Sequence, residues 1–247
     1  MSAAFFGPAD RRLFGYHHAP RTAPASAVLI CAPCGLEYQY AHRALRVLAK
    51  RLAERGSHAL RFDYSGTGDS AGDTVDASMG QWVADTIEAA AELQQASGVR
   101  RIDMIGLRVG AAVAARSAGQ VNARRLVLWD PVLDGNAWVS EVGEPRSPVA
   151  TNGAVASTAV EFESTLVTDA FINELRAVSE ADYQNPASDS VLWMTTTPEP
   201  PPGSAGSTAS LEHRHVPDVS PWSADTSIWS GQVPAQAIRN LAEWLTA

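Results

Sequence analysis

Apolar and polar positions alternate along this chain in two rhythms: short dense runs, and longer stripes of helical period. The run "SAVLICAP" is compact, rich in β-branched residues and bounded by Pro33 and Gly35, as a parallel strand buried on both faces should be. Next comes "YAHRALRVLAKRLAERG", where Ala44, Val47, Leu48 and Leu52 share one helical stripe, Arg and Lys lie opposite, and Gly56 closes the helix. The pattern then repeats. "HALRFDYSG" supplies a strand, "SMGQWVADTIEAAAELQQAS" an amphipathic helix, "RIDMIG" a strand, "VGAAVAARSAG" a helix of small residues and "RRLVLWDP" a strand. A pair of short opening strands over "FFGPADRRLFGYHHA" precedes them. This alternation predicts an α/β architecture, a doubly wound and mostly parallel sheet with helices on both faces.

From about Gly135 to Asn185 the rhythm breaks. "EVGEPRSPVATNGAVASTAV" is polar and loop-like, and "TLVTDAFINELRAVS" reads as a helix, so residues 136–186 form a lid-like insertion within a single domain spanning 1–247. "SVLWMTTTP" resumes as a strand, "EPPPGSAGSTAS" is a mobile Pro/Gly/Ser-rich loop, "LEHRHVP" is the last strand, and "PAQAIRNLAEWLTA" is a closing helix with Pro at its start.

Composition narrows the function. A chain of 247 residues, 45% apolar and 19% charged, suffices for one well-buried domain. A net charge of −8 with no dense Lys/Arg run excludes nucleic acid as a partner. The opening "MSAAFFGPADRRLFGYHHAP" has no charged n-region followed by a long apolar core, and no apolar run approaches the roughly 18 to 20 residues that span a bilayer, so a cytoplasmic location without a membrane span is expected. The two cysteines, Cys31 and Cys34, sit at a strand end and its loop, where they read as reduced thiols; a redox C-x-x-C is the sharper alternative. No cofactor is assigned. No metal is assigned either, since the histidines lack ligand spacing, and in "HRH" an arginine separates His213 from His215.

The chemistry concentrates where the strands end. Ligands of open α/β sheets sit at the carboxyl ends of the strands, so the loops after "ICAP", "RFDY", "MIG", "LWDP" and "WMTT" converge on one pocket. There, Gly106-Leu107-Arg108-Val109-Gly110 follows a strand and opens a helix, with a glycine two positions either side of the central residue. This is the small-flanked turn a nucleophile elbow requires. The central residue is an arginine.

The segments "LFGYHHAP", "CAPCGLEYQYAHRALRVLAKRLAERG", "LRFDYSGTGDSAGD", "IGLRVGA" and "LVLWDPVLDG" together resemble the α/β-hydrolase superfamily, and within it a bacterial subgroup of hydrolase-like proteins associated with exosortase systems. The resemblance covers most of the chain, apart from the middle of the insertion and residues 199–210. It implies the α/β-hydrolase fold, with a Ser, Cys or Asp nucleophile at the elbow, an acid after a late strand and a histidine after the last strand. Here the elbow carries Arg108, which stays protonated and cannot form an acyl-enzyme. The loop beyond the last strand, "PDVSPWSADTSIWSGQVP", holds no histidine.

Each candidate residue carries two readings. Arg108 offers a planar cation beside the peptide N–H groups of Val109 and of the Cys34–Gly35 loop, suited to a carboxylate or phosphate; alternatively it pairs internally with Asp130 or Glu37. Asp130, past "LVLW", is either a catalytic or ligand-contacting carboxylate or a turn cap, and Glu37 either reaches both Arg108 and a ligand or caps a helix. Asp63 is read as structural, and His17, His18 and His42 as remote from the chemistry. Trp138, Trp222 and Trp229 line an apolar pocket or fill core and lid.

Three functions follow. The first is a family enzyme acting on a small acyl or carboxylate-bearing molecule, free or tethered to a carrier in specialised metabolism, without a serine nucleophile: Arg108 and the backbone donors stabilise a developing anion while Asp130 or Glu37 serves as base, in elimination, epimerisation or direct hydrolysis. The second is a conventional ester or thioester hydrolase or acyltransferase. The third is an inactive relative that binds a ligand or partner, and a homodimer is left open.

Overall fold

The computed structural model describes residues 1–21, 26–147, 159–163, 165–196, 210–220, 222 and 232–247. The expected mobile loop, apart from Ser210, lies outside the described residues, as do Trp229 and residues 148–158 of the insertion.

An eight-stranded sheet is built from β1 (Ser2–Phe6), β2 (Leu13–His18), β3 (Ser26–Cys31), β4 (Ser57–Phe62), β5 (Asp103–Leu107), β6 (Arg125–Trp129), β9 (Ser190–Thr195) and β10 (Ser210–His215). Their spatial order is β1-β2-β4-β3-β5-β6-β9-β10. The opening hairpin of β1 and β2 pairs antiparallel and joins β4 antiparallel, whereas every pairing from β4 to β10 is parallel. The order reverses beside β3, so the loops after β3 and β5 diverge to opposite faces and leave a crevice at their carboxyl ends.

The period-two alternation of the central strands places helices on both faces. Leu29, Cys31, Leu60, Met104 and Leu128 pack toward α2 (Met79–Ser97) and α3 (Val109–Val121). Val28, Ile30, Ile105, Val127 and Leu192 pack toward α1 (Gly35–Glu54) and α6 (Ala235–Thr246). Every residue of β3 and β5 is therefore buried, which is why both read as unbroken apolar runs.

The segment between β6 and β9 differs from its expected form. It opens with α4 (Gly135–Val142), begun by the Asp134 side chain accepting a hydrogen bond from the Ala137 N–H. A two-stranded antiparallel sheet follows, β7 (Ala159–Phe162) with β8 (Thr165–Thr168), so "TLVT" is a strand where a helix was expected. The helix α5 (Asp169–Arg176) starts only after Thr168, whose hydroxyl accepts from the Phe171 N–H and sets the boundary.

The bend between β5 and α3 is tight because two glycines allow it. A Cβ on Gly110 would lie 2.4 Å from the Ala32 carbonyl oxygen, and one on Gly106 would lie 2.4 Å from the Ala111 Cα. Backbone, not movable side chain, fills both positions. Gly110→Ala should therefore destabilise the fold by about 3 kcal/mol, the upper end of overpacking costs, as measured by urea denaturation; an unchanged midpoint would show that α3 has room to shift.

Candidate functional site

β5 ends at Leu107 and α3 starts at Val109, so Arg108 alone makes the turn between them. Its backbone stands at φ 55, ψ −124, a conformation an L-residue adopts at a cost on the order of 1–3 kcal/mol. Neighbouring backbone bonds hold it there. The Arg108 N–H donates to the Trp129 carbonyl at 3.0 Å, and its own carbonyl accepts from the Ala111 N–H at 3.0 Å.

The side chain is mostly buried and makes two hydrogen bonds among the described residues. Arg108 Nε donates to Glu37 Oε1 at 2.9 Å, and Nη1 donates to the Asp130 carbonyl at 3.2 Å. Trp138, on α4, donates its indole N–H to the same Glu37 Oε1 at 3.0 Å. Glu37 lies in the first turn of α1 and is 3% exposed; its Oε2 is buried with no hydrogen-bond partner among the described residues. Burial pushes the Glu37 carboxyl up, opposed by Arg108 and by the Trp138 N–H. Burial works against the Arg108 charge too, but the charge and hydrogen bond of Glu37, with the carboxylates of Asp130 and Glu141, together outweigh it and hold the guanidinium above the ordinary arginine range. The pair is an ionic clamp joining the β5–α3 bend to α1 and α4.

Asp130 follows β6 with φ 42 and ties that strand to β9. Its Oδ1 accepts from the Thr196 N–H at 2.7 Å and its Oδ2 from the Thr196 hydroxyl at 2.8 Å. Both carboxylate oxygens thus face Thr196, and the carbonyl faces Arg108.

A cavity of about 320 Å³ lies beside this clamp at the carboxyl ends of β3 and β4. One wall is the loop entering α1, with Pro33, Cys34, Gly35 and Tyr38; another is the loop after β4, with Asp63, Tyr64 and Thr67. Phe162, Thr165, Val167 and Phe171 from the segment between β6 and β9 complete the lining. Asp63 is tied into its own loop, accepting from the Tyr38 hydroxyl and, at 3.0 Å, from the Asp69 N–H.

Sequence reasoning missed one group. Cys34 is the N-cap of α1 but makes no capping hydrogen bond. A distant carboxylate supplies one instead, with Glu163 Oε2 accepting from the Leu36 N–H at 3.3 Å. Glu163 stands in the β7–β8 turn with φ 49, and its carboxyl lies directly on Gly35, where a Cβ would come within 1.6 Å of Oε2. Burial raises this carboxyl to about 7, Glu37 adds to the rise, and the Leu36 N–H opposes it. Burial, with Glu163 and Glu37 beside it, holds the Cys34 thiol well above the usual thiol range, so it is not a ready thiolate. Burial alone dominates at Cys31, pushed up to about 12. No local pattern marks Glu163, because its partner lies 127 residues away along the chain.

Of the residues expected at the site, Arg108, Glu37 and Trp138 meet directly, and Asp130 joins through its carbonyl. Cys34 and Gly35 adjoin the cavity, and Val109 is fully buried at the start of α3. Trp222 lies elsewhere, buried edge-on against Trp129 with ring centroids 5.0 Å apart, in the layer of α1 and α6. Among the described residues no histidine joins the clamp or lines the cavity. His213 and His215 lie on the edge strand β10, His42 is on α1 with its ring 6.2 Å from that of Tyr38, and His17 hydrogen-bonds His58 at 2.7 Å near the amino end of β4.

The arrangement of this bend, crevice and sheet has known counterparts. The hydrolase family model described as serine aminopeptidase, S33, matches residues 26–177, more than half of the chain. The chain belongs to this α/β-hydrolase family. Among solved structures, Est1E from Butyrivibrio proteoclasticus with ferulic acid bound aligns with a TM-score of 0.62 at 13% identity, covering 99% of this chain and 96% of that one. DcsB in complex with its substrate analogue aligns with a TM-score of 0.64 at 12% identity, covering 99% and 98%. An alpha-beta serine hydrolase homologue from Coxiella burnetii aligns with a TM-score of 0.54 at 16% identity, covering 99% and 95%. At these identities the likeness is one of fold. A comparison with curated proteins finds no match. Among the described residues no helix is long and apolar enough to cross a membrane.

Two stability measurements test the electrostatics. Arg108→Ala strands a buried Glu37 carboxylate and should cost about 3 kcal/mol in urea denaturation, most of it recovered when Glu37→Gln is added; strictly additive effects would contradict the clamp. At Glu163 the folded carboxyl keeps its proton to higher pH than the unfolded one. Stability present below about pH 4.5 is thus lost as pH rises toward about 7. Glu163→Gln should match the wild type in thermal unfolding at pH 4 and exceed it at pH 8; an equal difference at both would show that Glu163 titrates normally.

Proposed function

We propose that this chain acts on a small acyl or carboxylate-bearing molecule, held in the cavity beside the 34–36 loop, by a mechanism without a serine nucleophile. One observation carries the reading: the residue at the β5–α3 bend, where the superfamily presents its nucleophile, is Arg108, and its guanidinium is bonded to Glu37 and to the Asp130 carbonyl. A guanidinium forms no acyl-enzyme. The segment between β10 and α6, residues 216–234, holds no histidine, so the usual general base is missing from the place the family gives it.

The backbone apparatus needs no particular side chain. The N–H groups at Val109 and at Cys34–Gly35 sit at the starts of α3 and α1, where developing negative charge is favoured, while the next amide, Leu36, is taken by Glu163. Arg108 fixes the distance between these two helix starts and adds positive charge behind them. The segment 136–186 serves as the lid, bringing Phe162, Val167 and Phe171 over an apolar substrate body. Est1E carries ferulic acid, so aryl and alkyl carboxylic acids and their esters or thioesters, free or carrier-tethered, are the first substrates to try. The chemistry open to such a site is direct attack by water, elimination or epimerisation.

A second reading, a ligand-binding protein without turnover, is favoured by the engagement of both Asp130 oxygens with Thr196 and of Glu37 with Arg108 and Trp138. The conventional hydrolase is the third reading, drawn from the family.

A fluorophosphonate probe separates them. Neither the wild type nor Arg108→Ser should be labelled, because a serine at the bend would have no histidine to deprotonate it. Stoichiometric labelling of the wild type would overturn the proposal in favour of an ordinary serine hydrolase.

A further inference from the structure

Three carboxylates approach the bend, and their partners sort them. Both oxygens of Asp130 accept hydrogen bonds from Thr196. Glu37 is held as the counter-ion of Arg108, with Trp138 on the same oxygen. Glu163 differs: its Oε2 takes one long hydrogen bond from the Leu36 N–H, and its Oε1 takes none among the described residues. It is half-buried, sits at the hairpin tip between the cavity-lining Phe162 and Thr165, and rests on Gly35, itself a wall of the cavity. A carboxylate free at one oxygen, beside backbone donors and at the cavity edge, has the geometry of a general base.

We propose that Glu163 is the proton-transfer residue of this site, activating water against an acyl carbon seated at the 34–36 loop. The inference rests on the preceding reading that no serine is acylated. In the forward step Glu163 takes a proton from water while the water oxygen bonds to the acyl carbon, and the carbonyl π pair moves to its oxygen, which meets the N–H groups of Val109 and of Cys34–Gly35, the Leu36 N–H staying with Glu163. In the collapse that pair returns, the bond to the leaving oxygen or sulfur breaks, and the leaving atom takes the proton back from Glu163. No other reactant is needed.

The charges around Glu163 suit the task. The Cys34 thiol faces it from the N-cap of α1 and Glu37 from that helix's first turn, while Arg108 and Glu141 act on Glu37. Burial and the Glu37 charge place its titration at about 7, where a carboxylate both takes and returns a proton. The Gly35 position follows as well, since any side chain there would displace the carboxyl.

The test measures hydrolysis of p-nitrophenyl acetate and butyrate from pH 5 to 9 by the full chain and by Glu163→Gln and Glu163→Asp, with intact-protein mass spectra taken during turnover. The wild type should show kcat/KM rising through one ionisation near pH 7 and no acyl adduct. Glu163→Gln should lose about a hundredfold and its pH inflection, and Glu163→Asp should keep the inflection at a reduced rate. Carbon-13 titration of the Glu163 carboxyl in the wild type should give the same midpoint, which also decides the matter if Glu163→Gln fails to fold. A Glu163→Gln enzyme with the wild-type rate and profile, a carboxyl midpoint near 4.5, or no turnover above buffer by the wild type overturns the assignment. An acyl adduct would instead overturn the reading on which it rests.

Discussion

The ion pair between Arg108 and Glu37 is the interaction on which the rest of this site depends. It joins the strained bend after β5 to the first turn of α1, and through Trp138 it brings in α4. A guanidinium so nearly buried cannot stand unpaired, and neither can a carboxylate that is 3% exposed. Each exists because the other does. The strain at Arg108 is thus secured by an electrostatic clamp as well as by the small residues of α3, and the side chain that occupies the bend is a paired cation.

The two helix starts that flank the crevice are completed in different ways. α3 begins at a residue whose side chain turns to Glu37, leaving backbone donors around Val109. α1 begins at Cys34, which has no oxygen to offer as a cap, and the missing acceptor comes from Glu163 on the β7–β8 hairpin. The hairpin that covers the cavity is therefore pinned by its own carboxylate to the loop beneath it. Cover and crevice share this hydrogen bond, besides the one the Thr74 hydroxyl donates to the Leu166 carbonyl, and the protonation state of Glu163 bears on both.

Much of this fold was legible because burial on two faces leaves an unmistakable mark. The runs "SAVLIC" and "DMIGL" are buried at every position, and the stripe of Ala44, Val47, Leu48 and Leu52 marked the helix that follows the first, although Val47 proves to be exposed at the stripe's margin. The elbow was legible from Gly106 and Gly110, each of which leaves no room for a Cβ. The pairing of Arg108 with Glu37 was one of two readings open at that position, since charge and proximity in topology suggest it but only packing selects Glu37 over the Asp130 carboxylate. The insertion was less legible: the four-residue strands β7 and β8 are too short for period-two patterning, and Thr165–Thr168 merges in sequence with the amphipathic helix after it. Trp222 shows the opposite limit, a loop residue by sequence that the structure buries against Trp129. Glu163 had no signal, because a cap contributed across 127 positions leaves nothing in the local pattern.

In the proposed mechanism the bend presents a paired cation and no nucleophile, so that no covalent acyl intermediate forms. Intact-protein mass spectrometry after rapid mixing with excess p-nitrophenyl acetate, quenched in acid within the first turnovers, tests this most directly. The protein mass should stay unchanged at every time point. A stoichiometric acetyl adduct mapping to a serine or to Cys34 would contradict it.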